Sequence, residues 1–355
     1  MSFRTVLGNA AFRKLWIAQV VSGFGDRVHE IALLFIVFER TGDPLLVAAT
    51  AAASTIPELV LSVPAGAVAD WFDRKRIMVG SAVVRGCSVL AIPPLADAGL
   101  LVPAVLGVAV VAGAAESFAS PARNAMVPNV VAESQLDAAN GLSRMTGSLL
   151  RFLYAAGGAL IALVGVEGAF YVDAATFFAA AAVLATLPAS VGRGPGRTEE
   201  PAFDAGELVA DARGGIAYVI GSPILASLVV LSGLTAFAMA PLGVVIPFYS
   251  ETVLGGTATF GHSTAIEFGT LYASIYVGVF AGGIGVNALE GVFSSHRGAG
   301  IIVGVLSIGL VLIALGGLNA EIGTRLLWPA LLFAALGVAV AVVGVGRNVA
   351  LATVV

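Results

Sequence analysis

The chain has 355 residues, of which 58 % are hydrophobic and 11 % are charged, and its mean hydropathy is +0.98. Soluble domains average about 25 % charged residues, so an ordinary soluble fold is excluded. The net charge is −4 and no basic segment of the kind that binds nucleic acid is present, which argues against a nucleic-acid partner. The single cysteine, Cys87, excludes an internal disulfide and a cysteine-based metal cluster.

Long apolar runs, most of them close to the length of a membrane span, follow one another along the chain. A helix needs ~20 apolar residues to cross a bilayer, whereas barrel strands would appear as alternating segments of ~10 residues. The pattern therefore predicts an all-α membrane protein with about ten transmembrane helices. The predicted spans lie near residues 14–38, 45–69, 77–97, 100–118, 142–164, 168–187, 223–249, 266–290, 299–318 and 326–346.

The first predicted span carries Asp26, Arg27, His29 and Glu30 at its centre. Its three charged residues cost roughly 8–10 kcal/mol of insertion free energy, at about 2.5–3.5 kcal/mol each. The 13 Leu, Ile, Val and Phe residues from 15 to 38 return only about 0.3–0.6 kcal/mol each. We therefore expect the charges to face a protein interior or an aqueous cavity, where transport pathways and proton relays lie.

Two interpretations of this charged cluster are open. Asp26 and Glu30 are four residues apart and share one helix face, with Arg27 and His29 on either side. Two carboxylates in a poorly hydrated cavity resist ionising together, so this pair can bind and release a proton. The alternative is a static ion pair of Arg27 with Glu30 or Asp26 that only holds helices together.

Other spans also contain charged residues. Glu58 follows Pro57 in the second span and Arg85 lies in the third, and each is predicted either to line a cavity or to act as a counter-charge for the first-span cluster. Glu116 is expected to lie close to the inner face with its charge extended to the membrane surface. Asp173, near the outer end of its span, is expected to be interfacial.

The segment from Gly66 to Arg76, GAVADWFDRKR, joins the second and third spans and is the most specific motif of the chain. Gly66 is expected to let the end of the second span pack closely against another helix. Asp70 can accept hydrogen bonds from arginines of the loop or from a helix N-terminus. The alternative is that Arg74 and its basic neighbours serve only to orient the protein in the membrane.

A polar, Gly- and Pro-rich interruption divides the chain after six spans. It predicts an N-terminal six-helix bundle at 1–187, a cytoplasmic linker at 188–222 and a C-terminal bundle with four spans at 223–355. With the N-terminus in the cytoplasm, twelve basic residues of the predicted loops fall on the inner side and two on the outer side. This bias predicts a multi-pass protein of the cell membrane with a cytoplasmic N-terminus.

Three stretches of the sequence resemble the major facilitator superfamily, and within it the branch of macrolide, multidrug and enterobactin exporters. The loop after the second span matches the family pattern except at Trp71, where the first arginine of the pattern usually lies. The matching positions of that loop are Gly66, Asp70, Asp73, Arg74 and Lys75. The other two stretches are residues 19–26 in the first span, and residues 121–128 with 137–140 after the fourth.

The resemblance implies two helical bundles that move about a central cavity, and export of a small amphipathic compound driven by protons. It implies as well that Asp70 takes part in closing an inner gate with the eleventh span of the family. The expected partners are a small-molecule substrate, protons and membrane lipid. The protein itself is expected to be a monomer. No cofactor is expected, and the three histidines, 29, 262 and 296, are too dispersed to suggest a metal site.

The family has 12 spans and this sequence stops after the tenth, so we expect a truncated piece of a longer protein or a protein that works in an altered way. The competing class is therefore a membrane protein that does not transport, such as a defective, receptor-like or lipid-handling relative. An enzyme is not expected, because no nucleophile–base set is found among the residues.

Overall fold

A computed structural model describes residues 3–192, 220–239, 242–249, 263–288, 297–317 and 327–351, together with residues 206, 214 and 217. In these ranges the chain is helical and has no β-strand. Short 3₁₀ turns lie at Glu133–Gln135 and Ala189–Val191. The α-helices of the described ranges are α1 Phe3–Gly8, α2 Ala10–Thr41, α3 Pro44–Trp71, α4 Arg74–Leu90, α5 Ile92–Asp97, α6 Leu101–Val130, α7 Leu136–Arg151, α8 Tyr154–Ala185, α9 Pro223–Met239, α10 Leu242–Tyr249, α11 Ser263–Ala288, α12 Arg297–Gly316 and α13 Leu327–Leu351.

The prediction of an all-α membrane fold is confirmed. Six helices in the described part of the chain are long and apolar enough to cross a membrane. Helix α2 is not among them, because Asp26, Arg27 and Glu30 lie in its middle. The six segments are Pro44–Ser62, Arg74–Asp97, Leu101–Val130, Tyr154–Ala185, Ile266–Gly285 and Leu327–Gly344. Each of the ten predicted spans overlaps at least one helix.

Polar residues in short connections set the ends of the first helices. The side chain of Asn9 accepts hydrogen bonds from the backbone N–H groups of Ala11 and Phe12 and so caps the start of α2. Helix α2 ends at Gly42, whose φ of 62° is the left-handed conformation that favours glycine. Asp43 then caps α3 at its first turn, with a proline in the first helical position.

The predicted span 142–164 is not one continuous helix. Helix α7 ends at Arg151, a turn follows at Phe152 and Leu153, and α8 begins at Tyr154. Helix α8 is itself broken at Gly165, where φ is 77° and ψ is 167°. Residues 154–164 therefore form a short helical segment of their own, and the segment after Gly165 corresponds to the predicted span 168–187.

Helix α6 is longer than the predicted span 100–118, because it continues through Pro121 and Pro128 to Val130. Proline ends many helices of soluble proteins, since it removes one backbone hydrogen bond and crowds the preceding turn. In membrane helices the freed groups are satisfied by neighbouring helices, so a proline need not end the helix. The extension carries Arg123 and Asn124 onto the same helix as Glu116.

The described helices pack into two units. The first contains α1–α7 and the part of α8 from Leu163 onward, and the second contains residues Tyr154–Ala162 and the helices from α9 to α13. The predicted linker at 188–222 lies largely outside the described residues, so the domain boundaries stay a prediction. The buried apolar core of the first unit includes Phe12 and Leu15 of α2, Met126 of α6 and Leu184 of α8.

Helices α11 and α13 of the second unit touch through their backbones. A Cβ atom added to Gly278 would collide with the carbonyl oxygen of Ala334, and one added to Gly337 would collide with that of Ile275. Each helix thus presents a glycine to a carbonyl of the other, which is the close approach that small residues permit in membrane proteins.

Candidate functional site

The guanidinium of Arg85 lies at the centre of a charge network in the first unit. Its Nη2 contacts Asp26 Oδ1 of α2, and its Nη1 donates to Glu116 Oε2 of α6 at 2.9 Å. The guanidinium carbon lies 4.2 Å from the ring centroid of Phe177 on α8, a cation–π contact. Arg85, which is buried, therefore connects its own helix, α4, to three others. Its contact with Asp26 is the geometry of the counter-charge role, and the cavity role stays a prediction.

Glu116 carries the network further along α6. Its second oxygen, Oε1, accepts from Arg123 Nη2 at 3.2 Å, so this carboxylate lies between two guanidinium groups. The expectation that Glu116 extends its charge to the membrane surface is wrong, because both of its oxygens are engaged inside the first unit. Its spacing of seven residues from Arg123 places the two on one helix face, a signal that the sequence contains.

Arg27 and Glu30 form their own ion pair on α2. Arg27 Nη1 donates to Glu30 Oε2 at 2.9 Å, and the two side chains are 28 % and 43 % exposed. Asp26 and Glu30 thus each have a different arginine, one on a neighbouring helix and one on the same helix. This is the geometry of the static alternative for Arg27 and Glu30. The proton-binding role of Asp26 and Glu30 stays a prediction.

His29 faces Asp173, a residue from beyond the Gly165 break of α8. Imidazole Nδ1 and carboxylate Oδ2 are 2.9 Å apart, yet the imidazole is not aligned for a hydrogen bond to it. Asp173 is 0 % exposed, and the imidazole of His29 makes an edge contact with the ring of Phe170. The expectation that Asp173 is interfacial is therefore wrong, because the residue is fully buried and faces His29 and Gly25 of α2.

The contact between α2 and α8 depends on Gly25. A Cβ at this position would overlap the side chains of Thr176 and Asp173, so the helices could not approach as they do. Gly25 precedes His29 by one helical turn and shares its face. The glycine thus places the imidazole against the buried carboxylate.

Glu58 of α3 interacts electrostatically with Glu116, Arg85, Glu30 and Asp26 without contacting them directly. Its residue is exposed, and it forms no ion pair with any described residue. The counter-charge role that the sequence left open for Glu58 is therefore not seen, and the cavity role stays a prediction.

The loop motif from Gly66 to Arg76 is held by a set of local hydrogen bonds. Asp73 caps α4 by accepting from the backbone N–H of Arg76 at 3.1 Å. Arg74 donates from Nε to the carbonyl of Ala69 at 3.1 Å and from Nη1 to that of Ala125 at 2.7 Å, and its Nη2 lies 3.5 Å from Asp70 Oδ1. This arginine therefore ties the end of α3 to α6.

The other members of the motif differ in their surroundings. Lys75 donates from Nζ to the carbonyls of Ala185 and Leu187 at the end of α8, at 2.8 and 2.5 Å. Arg76 is exposed. The expectation of close packing at Gly66 is not met within the described part of the chain, where a Cβ at this position would have no heavy atom within 4 Å.

Replacing Arg74 should test how much of the motif is structural. We expect Arg74→Gln to lower the free energy of unfolding by about 1.5–3 kcal/mol, because it removes charge-assisted hydrogen bonds. Asp70→Asn is the matched control, and its effect should stay below about 1 kcal/mol because the Asp70 side chain is 63 % exposed. Thermal unfolding of the purified chain in detergent would measure both. Equal stability of the two variants would contradict the structural role of Arg74.

A small cavity of about 40 Å³ lies between α2, α6 and α7 of the first unit. This volume suits a water molecule or two rather than a transported compound. Its lining includes Gln19, Arg123, Asn124 and Asn140, which come from two of the three stretches that carry the family resemblance. Those stretches thus meet in the fold, next to the Arg123 end of the charge network.

The comparison with protein families agrees with this architecture. The family described as transmembrane secretion effector, MFS_3, matches residues 2–352. The chain belongs to the major facilitator superfamily. Crystal structures of major facilitator-like transporters have the same fold. The nucleoside transporter NupG aligns over 97 % of this chain and 83 % of its own, with a TM-score of 0.70 and 14 % identity. A bacterial homologue of the iron transporter ferroportin, in an inward-facing state, covers 97 % and 84 % with a TM-score of 0.69 and 15 % identity.

Two curated relatives are named as efflux proteins. Macrolide efflux protein A of Streptococcus pyogenes is 25 % identical over 273 residues, 76 % of this chain and 66 % of the relative. Multidrug efflux pump Tap of Mycolicibacterium fortuitum is 24 % identical over 302 residues, 83 % of this chain and 70 % of the relative. The match to this major facilitator chain thus spans about two thirds of the length of these relatives.

Proposed function

We propose that this major facilitator protein is a secondary transporter that exports a small amphipathic compound in exchange for protons, by alternating access. The observation that carries the proposal is the Arg85 network, which connects α4 to α2 and α6 through charged groups and to α8 through the ring of Phe177. Fold alone does not require such groups, since well-packed apolar residues often stabilise as well as a buried ion pair or better. Charges inside a membrane protein are expensive and most often serve transport or proton transfer.

The network suggests how a proton could be linked to helix movement. A proton on Asp26 would remove the charge that holds Arg85 to α2, while Glu116 would still hold Arg85 to α6. Helix α2 would then be free to separate from α4. Glu30 would act together with Asp26. When Glu30 binds a proton it loses its ion pair with Arg27, and when it releases the proton the ion pair forms again.

The remaining assignments follow from the family and the charge pattern. The Gly66–Arg76 loop would act as the inner gate, with Asp70 as its exposed acceptor. The chain would lie in the cell membrane as a monomer, surrounded by lipid, with its N-terminus and the 188–222 linker in the cytoplasm. Impermeant thiol labelling of Ser2→Cys in intact cells, in a chain in which Cys87 is replaced by serine, tests this orientation. Labelling of residue 2 from outside would show that the N-terminus lies outside the cell.

Transport of a fluorescent dye tests the function. Proteoliposomes with the purified chain should move ethidium, an amphipathic cation, when a pH gradient is imposed. Asp26→Asn should reduce this pH-driven movement to the level of empty liposomes, because the proton-binding carboxylate is lost. Counterflow of ethidium, which needs only a dye gradient, should persist.

Arg40→Gln is the matched control, since Arg40 lies on the same helix in an exposed ion pair with Glu167 at 3.6 Å. It should leave both forms of dye movement unchanged. Full pH-driven transport by Asp26→Asn would exclude the coupling role of that carboxylate. Absence of any dye movement by the unaltered chain would favour a membrane protein that does not transport.

A further inference from the structure

The contact between His29 and Asp173 is not used by the proposed function. Asp173 is 0 % exposed, and neither of its carboxylate oxygens has an aligned hydrogen bond within the described part of the chain. An ionised carboxylate without hydrogen bonds is unfavourable in a water-free environment, so it must gain a proton or a cationic partner. The nearest candidate is the imidazole of His29, at 2.9 Å.

Among the described residues, no arginine forms an ion pair with Asp173. Arg85 is near Asp173, but its two terminal nitrogens already contact Asp26 and Glu116. Histidine differs from arginine in that it exchanges its proton near neutral pH. The pair can therefore hold one proton, either on the imidazole beside an ionised carboxylate or on the carboxyl beside a neutral imidazole.

The charges around the pair favour uptake of that proton. Arginines and carboxylates of the surrounding helices form the ion pairs described above, and none of those arginines pairs with Asp173. On α7, Arg144 and Arg151 are exposed, as is Glu58 on α3. The groups that make up the balance are Asp26, Arg27 and Glu30 on α2, Arg85 on α4, Glu116 and Arg123 on α6, and Asp173 on α8. Glu58 of α3 interacts electrostatically with Asp26, Glu30, Arg85 and Glu116, so it adds a fifth carboxylate to the four of this set. Three arginines against five carboxylates leave an excess of negative charge, which a proton on the His29–Asp173 pair reduces.

Gly25 gives this proton a structural consequence. It allows α2 to touch α8 at Asp173 and Thr176, one turn from His29. With the proton bound, the contact is electrically balanced. When the proton leaves, α2 covers an uncompensated carboxylate, and water can reach that carboxylate only if the helices separate.

We propose that His29 and Asp173 together form a proton-binding site, distinct from Asp26 and Glu30, whose proton loss loosens the contact between α2 and α8. That this proton also drives export rests on the proposed function.

Proton binding can be measured without transport. In a chain that carries His262→Gln and His296→Gln, His29 is the remaining histidine, and its ring nitrogens can be followed by ¹⁵N NMR. The proposed site requires that these signals change as the pH is varied over the range in which the chain stays folded. Asp173→Asn should move the midpoint by about one pH unit or more, because a charge in contact is lost. Glu167→Gln, which removes an exposed carboxylate from the same helix, should leave the midpoint unchanged.

Either of two results would overturn the site. One is a His29 titration midpoint that is the same in the Asp173→Asn variant as in the chain that keeps Asp173. The other is a set of His29 ring-nitrogen shifts that do not change with pH, because loss of the proton from either the imidazole or the carboxyl group would alter the surroundings of Nδ1. This second result decides the question even if Asp173→Asn fails to fold.

Ethidium transport then separates the site from the proposed function. If His29 titrates with the expected dependence on Asp173 but the unaltered chain moves no dye, the proton site stands and the exporter proposal fails. If pH-driven dye movement is seen while His29 does not titrate, the exporter proposal stands and the site is wrong. If both hold, Asp173→Asn should lose pH-driven movement and keep dye counterflow. Full pH-driven movement by that variant would exclude a role of the site in coupling.

Discussion

Arg85→Gln should destabilise the first unit by about 3 kcal/mol, the lower end of the cost of removing one partner from a buried ion pair. The glutamine leaves Asp26 and Glu116 without their shared cation and removes the guanidinium from the ring of Phe177. The network would lose the group that joins α4 to α2 and α6. The destabilisation would appear as a lower midpoint of thermal unfolding for Arg85→Gln in detergent and as a lower yield of that variant from the membrane.

Three variants make this test specific. Arg40→Gln, in an exposed pair, should change stability by less than about 1 kcal/mol. The loss of stability in Arg85→Lys should lie between the losses in Arg40→Gln and Arg85→Gln. An ammonium group keeps the charge but lacks the planar guanidinium that contacts two carboxylates at once. Adding Asp26→Asn to Arg85→Gln should recover part of the loss, since one uncompensated carboxylate is removed. If Arg85→Gln unfolds at the same temperature as Arg40→Gln, the central position of Arg85 is refuted.

Gly25→Ala should destabilise the contact between α2 and α8 by about 1–3 kcal/mol, the usual cost of overfilling a packed site. The new methyl group would occupy the space of the Thr176 hydroxyl and press against Asp173. The helices would have to move apart, and the buried carboxylate would lose its cover. Thermal unfolding measures the loss, and the His29 titration should change with it.

Gly107→Ala on α6 is the control, because a Cβ there meets no heavy atom within 4 Å. It should be neutral or stabilising by up to about 1 kcal/mol, since alanine favours a helix over glycine. Thr176→Ala combined with Gly25→Ala should restore part of the stability by removing the hydroxyl that clashes. Equal stability of Gly25→Ala and Gly107→Ala would contradict the tight contact.

The helical fold and the family could be predicted from the sequence, because both follow from local properties. Apolar runs of bilayer length specify helices, and the cost of Asp26, Arg27 and Glu30 in lipid implies that α2 faces protein or water. The ordered residues of the loop after α3 then point to the family. None of these inferences needs to know which helices are neighbours.

The partners in the charge network could not be predicted, because they depend on the neighbours of each helix and on its rotation. Their positions along the chain placed Glu116 and Asp173 near the membrane surfaces, whereas Glu116 is paired with Arg85 and Arg123 and Asp173 is buried. The two glycines Gly66 and Gly25 show the same limit. Sequence identifies a residue without a side chain, but only the structure shows that the first has no close packing partner in the described part of the chain and that the second faces Thr176.

The backbone contact between α11 and α13 has a mechanical consequence. Two helices that touch through carbonyl groups and glycines have no flexible side chains between them to absorb a displacement. Sliding one past the other would drive Gly278 and Gly337 away from the carbonyls of Ala334 and Ile275 and bring bulkier neighbours into their place. The two helices should therefore move together as one rigid body, and any bending within the second unit would have to occur outside them.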